Sequence, residues 1–299
     1  IWFLLFLLAI AILLKTVIYV FRAENITEKG KQMIIDAHTH IYPDHVAGKA
    51  ISTILGNTNG QVNAYTDGTF TNLLSSMNTA GIDLSIVLTI ATSPLQGRGI
   101  LKWLNQIIVR TPRLIYFGSI HPDDPNSKSI IREMAGMGLQ GLKFHPAYQD
   151  FPADSKKAYK VYEEAVRNDL ILYFHSGFDM SMPETDYATI ERFARVLKDF
   201  AGAKIVMAHA GGDGEWDKVL DLFGDKKCYY DTSFVLEKMA LDKNAMELYR
   251  ENEGSFVFGT DSPWQDQKRF VDFIKNSDLF SQEQKNKLFY KNILKLIKI

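Results

Sequence analysis

The segment 33-MIIDAHTHIYPD-44 runs an apolar stretch into an acid and two histidines one residue apart. Its first half has the character of a buried strand, and the histidines fall where that strand would end. From Met33 onward the pattern repeats. Strand-like runs occur at MIIDAH (33–38), LSIVLTI (84–90), RLIYFGSI (113–120), LQGLKFH (139–145), LILYFHS (170–176), AKIVMAH (203–209), KCYYDTS (227–233) and SFVFGTD (255–261). Amphipathic stretches separate them, among them 155–169 and 183–202. In the second of these, Ile190, Phe193, Val196, Leu197 and Phe200 form a helical stripe. Strands buried on both faces with helical crossovers imply a parallel sheet. Eight such units match the ~250 residues of a (β/α)8 TIM barrel, and the count argues against an open doubly wound sheet. The longest connection, 41–68, is rich in Gly, Asn and Thr and reads as a functional or mobile loop.

The 299 residues are 46% hydrophobic and 23% charged with a net charge of −1, which is globular and carries no electrostatic footprint for nucleic acid. The single cysteine, Cys228, excludes an internal disulfide framework and a multi-cysteine metal cage, and reads as a buried, inert thiol. Residues 1–22 are different: 19 of the first 21 are apolar, broken by Lys15 and Thr16. Roughly 20 apolar residues suffice for a membrane span. No small-x-small cleavage site follows, so a signal peptide fits poorly. As an anchor, this segment with Lys15, Arg22, Lys29 and Lys31 would keep the barrel on the cytoplasmic side. The chain opens with Ile1, and Met33 stands directly before the motif. A translated upstream region therefore ranks slightly ahead of an anchor for 1–22, with 23–32 a linker and 33–299 the barrel domain of a cytoplasmic protein.

Six of the seven histidines lie at or just after strand ends: His38, His40, His121, His145, His175 and His209; His45 lies in the long loop. In a barrel those ends meet on the face where active sites sit. Period-two alternation puts Asp36, His38 and His40 on one face of the first strand, and Lys143 and His145 on one face of the fourth. His38 and His40 then offer two imidazoles to one point near the axis. Asp261 supplies a carboxylate from the adjoining eighth strand, and His175 faces them from the fifth. Three histidines and an aspartate with a position left for water make a catalytic rather than a structural metal site.

Together, DAHTH on the first strand, YFHSG on the fifth, VMAHAGG on the sixth and FGTDSPW on the eighth resemble the amidohydrolase superfamily. The resemblance covers about residues 33–298. It is closest to the amidohydrolase-related branch, which includes aminocarboxymuconate-semialdehyde decarboxylase and related aromatic acid decarboxylases. It implies His38, His40, His175 and Asp261 as ligands of one divalent ion, Zn²⁺ or alternatively Mn²⁺. It also implies His209 as the group that acts on water or substrate. In the two-metal branch a carboxylated lysine of the fourth strand bridges the ions. Lys143 stands there, but His145 lies nearer the strand end. Lys143 is read instead as a buried cation paired with Asp36 or another carboxylate, and the second metal ranks behind.

These residues support a hydrolase acting on a small amide, ester or lactone, in which Asp261 takes a proton from the metal-activated water. A non-oxidative decarboxylase of a small unsaturated or aromatic acid is the alternative. It wants an arginine for the substrate carboxylate, and of ten arginines only Arg98, after the second strand, is placed to reach the site. Hydrolysis therefore ranks first. His145, Lys143, Arg98, Tyr148 and Trp264 are the candidate substrate contacts, with Phe151 a further aromatic wall. A ligand-binding barrel without turnover is the reading from a different class. Relatives of such barrels are often homodimers. Nothing in the loops names the substrate.

Overall fold

A computed structural model describes residues 32–224 and 226–299. The apolar segment 1–22 and linker residues 23–31 lie outside the described residues. Among those described, no helix is long and apolar enough to cross a membrane.

Eight strands appear where the apolar runs predict them: β1 (Ile35–Thr39), β2 (Leu84–Leu88), β3 (Leu114–Phe117), β4 (Gly141–Phe144), β5 (Ile171–Phe174), β6 (Ile205–Met207), β7 (Tyr229–Asp231) and β8 (Phe256–Val257). All pair in parallel, β1-β2-β3 in one ladder and β4 through β8 in another. The ladders meet at both seams. At one, Gly118 bridges Leu142 and the Lys143 amide donates to the Gly118 carbonyl at 2.8 Å. At the other, Thr39 bridges Ser262, and the amides of Ala37 and Asp261 donate across at 2.8 Å. The result is the (β/α)8 barrel arrangement.

The interior and the outer layer divide by alternation. Ile35, Ala37, Ile86, Leu88, Phe117, Tyr173 and Val206 form one buried cluster, closed at the bottom by Ile293, Leu296 and Ile297 near the C-terminus. Val87, Leu142, Phe144, Leu172, Phe174 and Met207 pack the other way, against helices.

The helices begin with α1 (Asp44–Asn57), α2 (Phe70–Ala80), α3 (Gln96–Ile107), α4 (Ser127–Gly136) and α5 (Lys156–Arg167). They continue as α6 (Ile190–Asp199), α7 (Trp216–Phe223), α8 (Leu236–Leu241), α9 (Lys243–Glu251), α10 (Gln267–Asn276) and α11 (Gln282–Asn286). Two expectations change here. The stretch read as a 41–68 loop contains α1, a helix with only Ala47 buried and no side-chain cap at its start, so it carries little apolar signature. The helix expected from 183 starts at Ile190, because the Thr189 hydroxyl accepts from the Arg192 amide and caps it there.

A third change bears on the site. The β1–β2 register shifts between Asp36 and Thr39, so the simple alternation breaks. Asp36 accepts hydrogen bonds from Thr260 Oγ1 at 2.6 Å and from Gln267 Nε2 at 2.8 Å, at the start of α10. It does not share a face with His38 and His40, and it is not the partner of Lys143.

Candidate metal centre

His38 and His40, at the end of β1, bring their Nε2 atoms to within 3.1 Å of each other. Asp261 Oδ1, past β8, lies 3.3 Å from the first and 3.2 Å from the second. Each ring is held by its other nitrogen. His38 Nδ1 is 2.7 Å from Asp231 Oδ2 and His40 Nδ1 is 2.8 Å from the Leu88 carbonyl, both of which only accept. Both protons therefore sit on Nδ1, and both Nε2 atoms present lone pairs. Two imidazole lone pairs and a carboxylate oxygen thus crowd one point, all three residues being buried. Lys143 Nζ, 3.4 Å from His38 Nε2, is the nearby cation. Burial, reinforced by Lys143, pushes the His38 pKa down to about 3, so the ring stays neutral and ligand-ready at pH 7.

The charge count suits a divalent cation. Asp179, Asp231 and Asp261 are held below the ordinary carboxylate range in spite of burial by the polar groups around them, and all three attract Lys143. Lys143 is the one lysine or arginine among the described residues lining the pocket. Burial lowers its pKa to about 8, which leaves it mainly charged at pH 7. Three carboxylates against one ammonium leave two negative charges, which one divalent ion balances. Asp213, at the edge, is already paired with Lys238 at 2.5 Å.

His175, after β5, stands in a second group with His145 and Asp179 rather than within the first three. Its Nδ1 is 3.0 Å from His209 Nε2, and its buried Nε2 has no hydrogen-bond partner. His145 Nε2 lies 3.1 Å from Asp179 Oδ2, its Nδ1 accepts from the Tyr148 amide at 3.3 Å, and its ring stacks between Tyr148 and His175 at 3.9 Å from each. His209, past β6, places Nδ1 3.0 Å from both the carbonyl and the hydroxyl of Ser233. His209, Ala210 and Asp261 adopt φ of 59°, 53° and 71°, conformations that cost energy for non-glycine residues and persist where the surrounding structure enforces them. Gly177 (φ 85°) lets the β5 and β6 loops meet, since a Cβ there would lie 2.7 Å from Gly212 Cα.

The pocket over these groups includes Tyr148, Trp264, Phe178 and Tyr42. Arg98 does not reach it: on α3, half-exposed, it pairs with Glu133 of α4. Phe151 packs against the His121 ring outside the pocket, at 6.5 Å between centroids. Cys228 is buried as expected, its thiol pushed up to about 12 by burial. Two acids in the site went unread in the sequence. Asp231 ends β7 in YYDTS, and its place at a strand end was an available signal. Asp179 lies in a loop, where nothing in the sequence marks it.

A family model described as Amidohydrolase matches residues 35–299. No curated protein sequence matches the chain. Solved structures of the same fold include 5-carboxyvanillate decarboxylase from Sphingomonas paucimobilis, at 16% identity and TM-score 0.67, covering 89% of this chain and 99% of that one. The 5-carboxyvanillate decarboxylase of Novosphingobium aromaticivorans, complexed with manganese and 4-hydroxy-3-methoxy-5-nitrobenzoic acid, matches at 15% and TM-score 0.68, covering 89% and 97%. A probable 2-pyrone-4,6-dicarboxylic acid hydrolase from Acinetobacter baumannii, with citric acid bound, matches at 14% and TM-score 0.62, covering 88% and 98%.

Proposed function

This chain belongs to the amidohydrolase family, and we propose that it is a metal-dependent hydrolase of a small amide, ester or lactone. The observation that carries this reading is the convergence of His38 Nε2, His40 Nε2 and Asp261 Oδ1 within 3.1–3.3 Å, with the lone pairs of both rings turned inward. These three would hold the ion, and His175 Nε2, which has no hydrogen-bond partner and lies 3.6 Å from Asp179 Oδ2, is the further donor. Nitrogen and carboxylate donors suit Zn²⁺, and Mn²⁺ is the alternative, as in the manganese-bound decarboxylase. The charge balance favours one ion over two bridged by a carboxylated Lys143. When bound, the ion supplies Lewis-acid polarisation and lowers the pKa of a coordinated water from about 15.7 to about 7.

The protein's own groups do the rest. Asp261 orients the water and takes its proton. His209 Nε2, inside the pocket, receives that proton and passes it to the leaving group. Lys143 Nζ offers a positive charge to an oxyanion as it develops. Tyr148, Trp264 and His145 wall a cavity for a small-molecule substrate.

Decarboxylation is the second reading, supported by neighbours of the same fold that are decarboxylases. The outward position of Arg98 removes the arginine it relied on and leaves Lys143 alone to meet a substrate carboxylate. The test is the metal content of the purified chain, followed by a panel of amides, esters, lactones and aromatic acids in ¹⁸O-labelled water. Label entering a carboxylic acid product with about one ion per chain supports hydrolysis. Release of CO₂ without label supports decarboxylation. A chain that takes up no metal and turns over nothing is a ligand-binding barrel.

A further inference from the structure

Asp231 is fully buried at the end of β7 and accepts hydrogen bonds from five donors. Oδ2 takes His38 Nδ1 at 2.7 Å and the Tyr173 hydroxyl at 2.5 Å. Oδ1 takes the amides of His209 at 2.8 Å and Ser233 at 2.9 Å, and the Ser233 hydroxyl at 2.5 Å. A carboxylate so placed only accepts. Towards His38 the consequence is direct: the proton is on Nδ1, and Nε2 faces the metal site.

Towards His209 the consequence passes through Ser233. Its hydroxyl has one hydrogen, and that hydrogen is committed to Asp231. Its Oγ, 3.0 Å from His209 Nδ1, can then only accept, as can the Ser233 carbonyl at the same distance. His209 is left with its proton on Nδ1 and a lone pair on Nε2. Asp231 also holds the amides of His209 and Ser233, one on each side of this contact.

We propose that Asp231 is a positioning residue that sets the ring tautomers of His38 and His209 together, presenting one Nε2 to the ion and the other to the reacting groups. This inference rests on the metal-dependent reading of the site. It gives the three separate strand ends of β1, β6 and β7 one shared anchor, although Asp231 itself touches neither ion nor substrate. A histidine ligand fixed in this way by a buried carboxylate typically loses ~10–100-fold in metal affinity when the carboxylate is removed.

The first experiment needs no variant. Long-range ¹H–¹⁵N spectra of the histidine rings in the metal-free full chain should show Nδ1–H for both His38 and His209. An Nε2–H tautomer at either ring overturns the proposal. The second measures Zn²⁺ binding to Asp231→Asn and Tyr173→Phe by titration calorimetry. The amide at 231 can donate as well as accept, so His38 should become a tautomer mixture and the dissociation constant should rise ~10–100-fold. Tyr173→Phe removes a donor from the same oxygen while keeping the ring that packs edge-on against His38 at 5.4 Å between centroids, and should bind Zn²⁺ like the wild type. Equal affinity in Asp231→Asn and wild type, or an equal loss in Tyr173→Phe, overturns the proposal. A wild-type chain that takes up no Zn²⁺ overturns the metal reading instead, and Nδ1–H rings in that sample still uphold the placement by Asp231.

Discussion

Replacing Asp261 by Asn should raise stability and abolish tight metal binding in the same molecule. In the metal-free protein, Oδ1 faces two imidazole lone pairs at 3.2 and 3.3 Å, so three acceptors crowd one point. An amide nitrogen in that place has two N–H bonds, one for each ring. Two new hydrogen bonds at ~0.5–1.5 kcal/mol each set the gross gain. Losing the attraction between Asp261 and Lys143 subtracts from it, which leaves roughly 1–2 kcal/mol. Asn occupies the left-handed region as readily as Asp, so the φ of 71° adds no strain. At ~2–4 °C per kcal/mol for a domain of this size, Tm rises by roughly 2–8 °C. The ion responds in the opposite direction. At an effective dielectric of 20, a unit charge ~4 Å from a divalent ion contributes ~8 kcal/mol. If a retained amide carbonyl and cheaper desolvation return more than half, the remaining ~3 kcal/mol is still two orders of magnitude in affinity. Scanning calorimetry on chelator-treated protein and Zn²⁺ titration of the same samples give both numbers. A metal-free variant less stable than wild type, or one binding Zn²⁺ equally well, refutes the reasoning.

Arg98→Ala should leave kcat/KM within about twofold, because that side chain pairs with Glu133 on the outer surface and such exposed pairs contribute ~0–1 kcal/mol; a large loss of activity would return Arg98 to the site. Gly177→Ala should cost roughly 1–3 kcal/mol in denaturant unfolding, since a Cβ meets Gly212 Cα at 2.7 Å on a backbone with φ 85°; a neutral result would show that the two loops yield freely. The pH dependence has a definite sign. Burial and Lys143 hold His38 at about 3 against an ordinary 6.5, so its contribution to folding is complete above pH 6.5 and is lost as pH falls towards 3. Each such ring contributes a slope of ~1.4 kcal/mol per pH unit, because the unfolded chain takes up the proton that the folded one refuses. His145 and His175, lowered first by burial, add in the same sense. Asp36, raised to about 6 from 3.8 by burial, opposes them between those values and offsets about one histidine. Denaturant midpoints of chelated protein that stay flat from pH 7 to 4 would contradict this balance.

The strands were legible because each is buried on both faces and so is written as a short apolar run. His38, His40, His145, His175 and His209 were legible because polar residues at the ends of such runs interrupt an otherwise apolar pattern. Local sequence could not show α1, whose faces are mostly exposed and leave almost no periodic signal. Nor could it show that the β1 register shifts after Asp36, which sends that acid towards Gln267 and separates it from the histidines it appears to join. Arg98 looked near the site along the chain, yet it sits on the outward side of α3, and facing is a property of the folded helix. Asp231 and His38 are 193 residues apart, and their 2.7 Å contact exists only once β1 and β7 share a barrel. The chain's own pattern determines which chemical groups are available at the strand ends. Which nitrogen of each ring faces inward, and which carboxylate holds it there, is decided by hydrogen bonds between distant strands, because a tautomer is set by the partner on the other side of the ring.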